Sequence, residues 1–239
     1  MNAPAAGFIG QSVKRKEDYR FLTGNGQYTD DVVLPGQTYA SFVRSPYAHA
    51  RIRGIDTSAA RAAAGVVAVF TGADLAAVGG LPCGWLITST DGTPMKEPKH
   101  ALLAEDKARH VGDQVAVVIA DTPANAKAAA ALVEVDYEEL TPVVVPATAK
   151  GAAGVVHDMA PDNVCYTWAI GDKAATDAQF AAAHHVTRLE FRNNRLIPNA
   201  IEPRAANAAY NRSDDSWTVY VANQNPHVER LLMCAFVLG

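Results

Sequence analysis

Apolar and polar positions fall into short runs divided by clusters of Gly, Pro, Asn and Asp. Tyr39–Val43 (Tyr-Ala-Ser-Phe-Val) predicts a strand that stops before Ser45-Pro46, and Ala48–Ile55 sets small or apolar residues against Arg51 and Arg53, as a half-exposed strand does. The β-branched run Val66–Phe70 and the run Gln114–Ala120 predict buried strands, and Val133–Tyr137 alternates as a further strand ended by Pro142. Two Ala-rich segments lie between them. Ala59–Ala64 follows the N-cap signal Asp56-Thr57-Ser58 and stops at Gly65, and Ala124–Leu132 is opened by Thr122-Pro123. Gly79–Lys99 reads as a long surface loop, Ala104–Ala108 as a helical turn or connector, and His110–Asp113 as a turn. The order contains two similar strand–helix–strand units, at about 49–70 and 114–137, which predict helices on one face of a mixed sheet in an α+β or α/β fold.

A composition shift at Ala147–Gly154, small and flexible in character, predicts a boundary between a domain at 1–150 and a second at 151–239. The second part predicts a short helix at Asp177–Ala183 and an alternating strand at His185–Arg192, with Val186, Leu189 and Phe191 set against Thr187, Arg188 and Arg192. Ala205–Tyr210 and Ser216–Ala222 predict two strands, joined by a pentad (Asn-Arg-Ser-Asp-Asp) with hairpin-loop chemistry. Val228–Leu238 is apolar at helical spacing, and Met1–Lys16 reads as a loose arm.

At 239 residues the chain has room for one large domain or two small ones, and 49% apolar with 19% charged residues is a globular balance. A net charge of -4 gives no footprint for nucleic acid. No apolar run approaches the ~20 residues of a membrane span, and the start lacks the basic region of a secretion signal. Cys83, Cys165 and Cys234 form neither a disulfide framework nor a CxxC metal spacing; they read as buried or partly buried thiols of a reducing, cytoplasmic protein.

The seven histidines show no metal pattern; His49, His100, His110, His157 and His227 read as isolated structural residues. The pairs Asp30-Asp31, Asp214-Asp215 and Glu138-Glu139 read as solvated loop or strand-end carboxylates. Phosphate-loop, dinucleotide and nucleophile-elbow motifs are absent. Asn223-Gln224-Asn225 lies between a predicted strand and a predicted apolar helix. It is open to two readings: an N-cap, or Gln224 presenting its amide to a pocket at the strand end.

The stretch from Val13 to Asp31 (Val-Lys-Arg-Lys-Glu-Asp-Tyr-Arg-Phe-Leu-Thr-Gly-Asn-Gly-Gln-Tyr-Thr-Asp-Asp) resembles the opening of molybdenum hydroxylase large subunits. These are relatives of xanthine dehydrogenase and aldehyde oxidase, and the likeness is nearest the aerobic carbon monoxide dehydrogenase large-chain type. Val43–Ile52, Gly65–Gly72, Val111–Val118 and Val133–Leu140 are similar to family segments in the same order. The resemblance implies an α/β-hammerhead domain followed by the beginning of a mixed α/β molybdenum-cofactor-binding domain. It also implies an enzyme that oxidises a carbon centre of a small molecule (carbon monoxide, an aldehyde or an N-heterocycle) with oxygen from water. Its cofactor would be molybdopterin, including the cytosine dinucleotide form. Electrons would leave through 2Fe-2S clusters and FAD on an iron–sulfur subunit and a FAD subunit, in a dimer of heterotrimers. Gln224 matches the family glutamine whose amide hydrogen-bonds an oxygen ligand of molybdenum, whereas Glu202-Pro203 resembles a family segment given no catalytic role. No catalytic residue and no direct metal ligand is assigned to this chain. The family's glycine-rich cofactor segment and its general-base glutamate would lie beyond Gly239, so the chain reads as an N-terminal portion. The reading from a different class is a scaffold or subunit-docking module without cofactor.

Overall fold

In the computed structural model, which describes residues 10–238, both strand–helix–strand units form, but each carries the chain from one sheet into another. The strands are β1 (Tyr39–Arg44), β2 (Ala50–Asp56), β3 (Val66–Thr71), β4 (Lys107–Ala108), β5 (Gln114–Ala120), β6 (Glu134–Glu139), β7 (Ala206–Asn211) and β8 (Ser216–Val221). The helices are α1 (Asp18–Leu22), α2 (Ser58–Ala62), α3 (Pro123–Ala130), α4 (Lys173–Ala182) and α5 (Pro226–Leu232).

One sheet has the order β1-β5-β3 and another β4-β2-β6, and each pairing within them is antiparallel. Helix α2 links β2 to β3, and α3 links β5 to β6 in the opposite sense, so the strands of one unit pair with those of the other. The expected single mixed sheet is therefore replaced by two antiparallel ones. A parallel neighbour needs a crossover of a dozen or more residues, and the connection 57–65 is shorter than that.

Helix α3 packs on β1 and β5, and α2 on β3. Their shared core is Ala60, Val69, Ala116, Val118, Ala129 and Val133. Small side chains at Ala60, Ala126 and Ala129 let the helices approach closely, so the Ala-rich composition serves packing as well as helix propensity. The Thr122 hydroxyl accepts from the Asn125 amide at 3.2 Å, and Pro123 fills the first turn, where no N–H is needed. Central β5 is buried on both faces from Val115 to Val118, as its unbroken apolar run predicts. Strand β3 lies at the edge and is covered unevenly: Val69 is buried beside Phe70 at 39% exposed, and a register shift between Val66 and Ala68 turns Val67 outward at 64%.

Two local expectations change. Ala104–Ala108 yields no helix; its end is β4, pinned to β2 with Lys107 and Ala108 both buried. The segment at Ala147–Gly154 is held in place despite its composition. Asn163 donates to the Ala149 and Gly154 carbonyls at 3.0 and 2.8 Å, and its side-chain oxygen accepts from the Val156 amide at 3.0 Å.

By compactness the chain divides into two units. The first comprises residues 37–193 and 225–239 and holds both three-stranded sheets with α2–α5. Helix α4 is capped by Asp172, and α5 continues into a wider π-helical turn, Met233–Leu238. His185–Arg192 forms no strand, because no described strand pairs with it. The second unit comprises the chain up to Gly36 and residues 194–224. It holds α1 and the antiparallel hairpin of β7 and β8, turned through Asp215 at φ 53°. Tyr210 and Trp217 stack across the hairpin with centroids 4.8 Å apart. Residues 1–9 of the expected N-terminal arm lie outside the described residues, and Gly10–Lys16 contain no helix or strand. No described helix is long and apolar enough to cross a membrane.

Candidate functional site

Strand β8 ends at Val221, and α5 begins at Pro226. Asn225 occupies the N-cap position, yet its side chain makes no capping hydrogen bond. Pro226 at the first helical position lowers the demand for one. Gln224 is exposed, and among the described residues its carboxamide has no hydrogen-bond partner. An unengaged carboxamide offers two N–H donors and one acceptor without formal charge. It suits orienting an oxygen atom on a bound group, and it would not compete as a strong ligand.

The unit holding both three-stranded sheets carries a cavity of ≈ 540 Å³ that is open to solvent, and sequence reasoning missed it. His100, His110 and His157 line it together with Arg44, Arg109 and Asp113. The sequence separates these histidines widely, and only tertiary contacts unite them. His100 and His110 flank β4, and His157 is brought over β4 by an ion pair in which the buried Lys107 ammonium sits 2.8 Å from both Asp158 oxygens. The hydrogen bond from Lys107, reinforced by its charge, holds the Asp158 carboxyl below its ordinary pKa.

Most of the lining charges are already committed. Arg109 donates to the Val156 and Lys107 carbonyls at 3.2 and 3.1 Å and pairs with Asp106 at 3.1 Å. Asp113 accepts from the Arg109 amide at 2.9 Å and faces His110 at 3.7 Å. Lys99 pairs with Glu105, and Arg44 donates to the Gly112 carbonyl at 3.0 Å. Burial, then the Arg109 charge, pushes the His157 pKa down, so a neutral imidazole faces the cavity at neutral pH. Among the described residues, no group of three or more His, Cys, Asp or Glu could hold a metal ion. The cavity offers polar contacts built into the fold.

His49 is buried, with its Nδ1 2.9 Å from the Thr141 carbonyl, a structural placement. The paired carboxylates stabilise turns and strands. Asp31 accepts from the Tyr28 amide at 2.8 Å, Asp214 from the Ser216 hydroxyl at 2.7 Å and Asp215 from the Tyr210 hydroxyl at 2.6 Å. Glu138 pairs with Arg51 and Arg53 at 3.4 and 2.8 Å. Glu202 accepts from the Thr29 amide and hydroxyl at 3.0 and 3.1 Å, which fixes the turn Thr29–Asp31. The cysteines are free thiols, but Cys83 and Cys234 are exposed, contrary to the expected burial.

Comparison with known proteins gives two matches in order along the chain. Residues 23–141 match the "aldehyde oxidase and xanthine dehydrogenase, a/b hammerhead domain", and residues 156–239 match the "molybdopterin cofactor-binding domain". The carbon monoxide dehydrogenase large chain of Afipia carboxidovorans is 37% identical over 238 residues, covering 94% of this chain and 28% of that protein. The nicotine 6-hydroxylase large subunit of Paenarthrobacter nicotinovorans is 35% identical over 231 residues, covering 96% of this chain and 28% of that protein. The crystal structure of quinoline 2-oxidoreductase from Pseudomonas putida 86 superposes with a TM-score of 0.84 at 36% identity, covering 97% of this chain and 29% of that one. The chain thus spans little more than a quarter of the length of these relatives. With both domains matched in sequence, and an α+β structure that follows solved relatives over nearly its whole length, the chain belongs to the aldehyde oxidase and xanthine dehydrogenase family of molybdopterin enzymes.

Proposed function

We propose that the chain is the N-terminal portion of the molybdenum-cofactor-binding large subunit of a hydroxylase or dehydrogenase. That enzyme oxidises a carbon centre of a small molecule with oxygen drawn from water. The observation that carries this reading is the succession of hammerhead and cofactor-binding matches along one chain. The gap between them, 142–155, supports a division into 1–150 and 151–239. The substrate belongs to the range named for the relatives, from carbon monoxide to N-heterocycles such as nicotine and quinoline. The names "large chain" and "large subunit" support a heteromeric assembly. Within it we place 2Fe-2S clusters and FAD on partner subunits of a dimer of heterotrimers in the cytoplasm.

Molybdopterin, with the cytosine dinucleotide form included, would supply two-electron redox chemistry and the activation of water-derived oxygen. In this chain Gln224 is the residue that would hold it in orientation, through an N–H donated to an oxygen ligand of the metal. Its exposed, unengaged carboxamide fits that task, and a neutral donor polarises the oxygen without adding charge. The remaining residues described here supply scaffold.

Replacing Gln224→Ala in the assembled enzyme should lower kcat by about 10–100-fold, the usual cost of losing a hydrogen bond to a metal ligand. Molybdenum content and Tm should stay unchanged, since Gln224 is exposed and supports no part of the core. Unaltered turnover would contradict the assignment.

A further inference from the structure

Strands β1 and β5 pair in register from Tyr39 to Val43, and then β5 carries one extra residue, Val115, so that Arg44 falls opposite Gln114. A bulge of this kind bends the strand and re-aims the side chains beside it. Here Arg44 and Gln114 both line the ≈ 540 Å³ cavity. The bend is pinned within the unit. The Ser45 amide donates to the Asp113 carbonyl and the Gly112 amide to the Ser45 carbonyl, each at 2.8 Å. The Ala104 amide donates to the Gln114 carbonyl at 2.7 Å, and Leu103 and Ala104 are buried. On another wall, His157 is held by the Lys107–Asp158 ion pair. The cavity is therefore framed by hydrogen bonds and ion pairs of this chain alone.

Its charges select the ligand. Arg44, Lys99 and Arg109 line the cavity against one carboxylate, Asp113. Lys99 and Arg109 are matched by Glu105 and Asp106, which lie outside that lining, and Asp113 is engaged by the Arg109 amide. Arg44 spends a donor on the Gly112 carbonyl and forms no ion pair among the described residues, so most of its five N–H donors remain. The His100 and His157 rings and the Gln114 carboxamide also line the cavity and make no hydrogen bond among the described residues. Pro98, Ala101 and Leu102 add an apolar wall. One unmatched guanidinium fits one planar carboxylate, through paired N–H···O bonds, whereas a phosphate dianion would bring more charge than it balances. The apolar wall calls for an organic body behind that carboxylate, and the volume lies within the range of about 300–1,000 Å³ found for small-molecule sites. We propose that this cavity binds a small organic carboxylate: Arg44 grips the carboxylate, His100, His157 and Gln114 complete its hydrogen bonds, and the 98–102 wall holds the apolar body. The site goes beyond the large-subunit reading and does not depend on it.

Photolabelling of the native complex with 4-benzoylbenzoate tests it, with the uncharged 4-benzoylbenzamide as the comparison. The expected adduct lies on the peptide carrying residues 98–102, and the amide should label that peptide at least ~10-fold less. Arg44→Gln changes an exposed side chain and should weaken labelling by about 10–100-fold, the range for losing hydrogen bonds to a charged group. Arg53→Gln, at an exposed arginine paired with Glu138 and outside the cavity, should label as the parent does. The comparison of acid with amide needs no variant, so it stands even if Arg44→Gln lowers Tm. Absence of an adduct on 98–102, equal labelling by acid and amide, or equal labelling of Arg44→Gln and the parent would each overturn the site. None of these results bears on the large-subunit reading, which molybdenum content tests separately.

Discussion

Lys107 and Asp158 show how one ion pair can shape a surface. The lysine side chain is 8% exposed and the aspartate 76%, so the pair fixes a solvent-facing segment to a buried anchor. That segment presents His157, whose surroundings include Arg109, Asp158, Asp106 and His49. Burial and Arg109 keep the folded His157 pKa below its ordinary 6.5, so the unfolded chain takes up the proton first as pH falls. The stability due to the neutral ring is whole above 6.5, declines as pH drops toward the folded value, and is lost below it. In His157→Gln, Tm should therefore fall less between about pH 7.5 and 5.5 than in the parent. Equal pH slopes would contradict this. From sequence spacing alone His157 is an isolated histidine, because its neighbours are set by tertiary contacts. Gln224 likewise stays undecided between a cap and a pocket until the family likeness singles it out. The reason is physical: an exposed amide leaves no trace in hydrophobic periodicity.

Elements whose signal is local are legible in sequence. Helix α3 has its cap, its proline and its alanines in one stretch, and β5 is apolar from Val115 onward because both faces are covered. Strand β4 and the 185–192 segment are not legible in the same way. Two residues become a strand only through β2, and an alternating segment that no described strand pairs with forms no strand. The hairpin of β7 and β8 lies between these cases, since a polar pentad between two largely apolar flanks suffices to predict it. Gly65 marks where a local signal and a packing constraint coincide. It ends the α2 connection at φ +75°, and a Cβ there would collide with the Asp121 and Asn125 side chains. The left-handed backbone alone costs a non-glycine residue about 1–2 kcal/mol. Gly65→Ala should therefore lower Tm by several degrees, whereas Gly84→Ala, where a Cβ meets nothing within 4 Å, should leave it nearly unchanged. Equal shifts in the two variants would contradict both the backbone strain and the collision assigned to Gly65.

For the molecule as a whole, two connections that swap sheets build the hammerhead portion, and the cofactor-binding portion follows with its apolar surface open. Composition and patterning suffice for an α+β chain without nucleic-acid or membrane signatures. They do not reach the activity, because this chain contributes a single neutral amide to the proposed chemistry and the difficult step belongs to the cofactor. The most direct test of cofactor binding is the molybdenum content of the native complex, measured by elemental analysis after expression in a host that makes the cofactor. About one molybdenum per copy of this chain is expected if the chain forms part of the cofactor-binding large subunit. A complex that contains the chain and its partners but no molybdenum would contradict that, and would leave the chain as a scaffold for subunit docking.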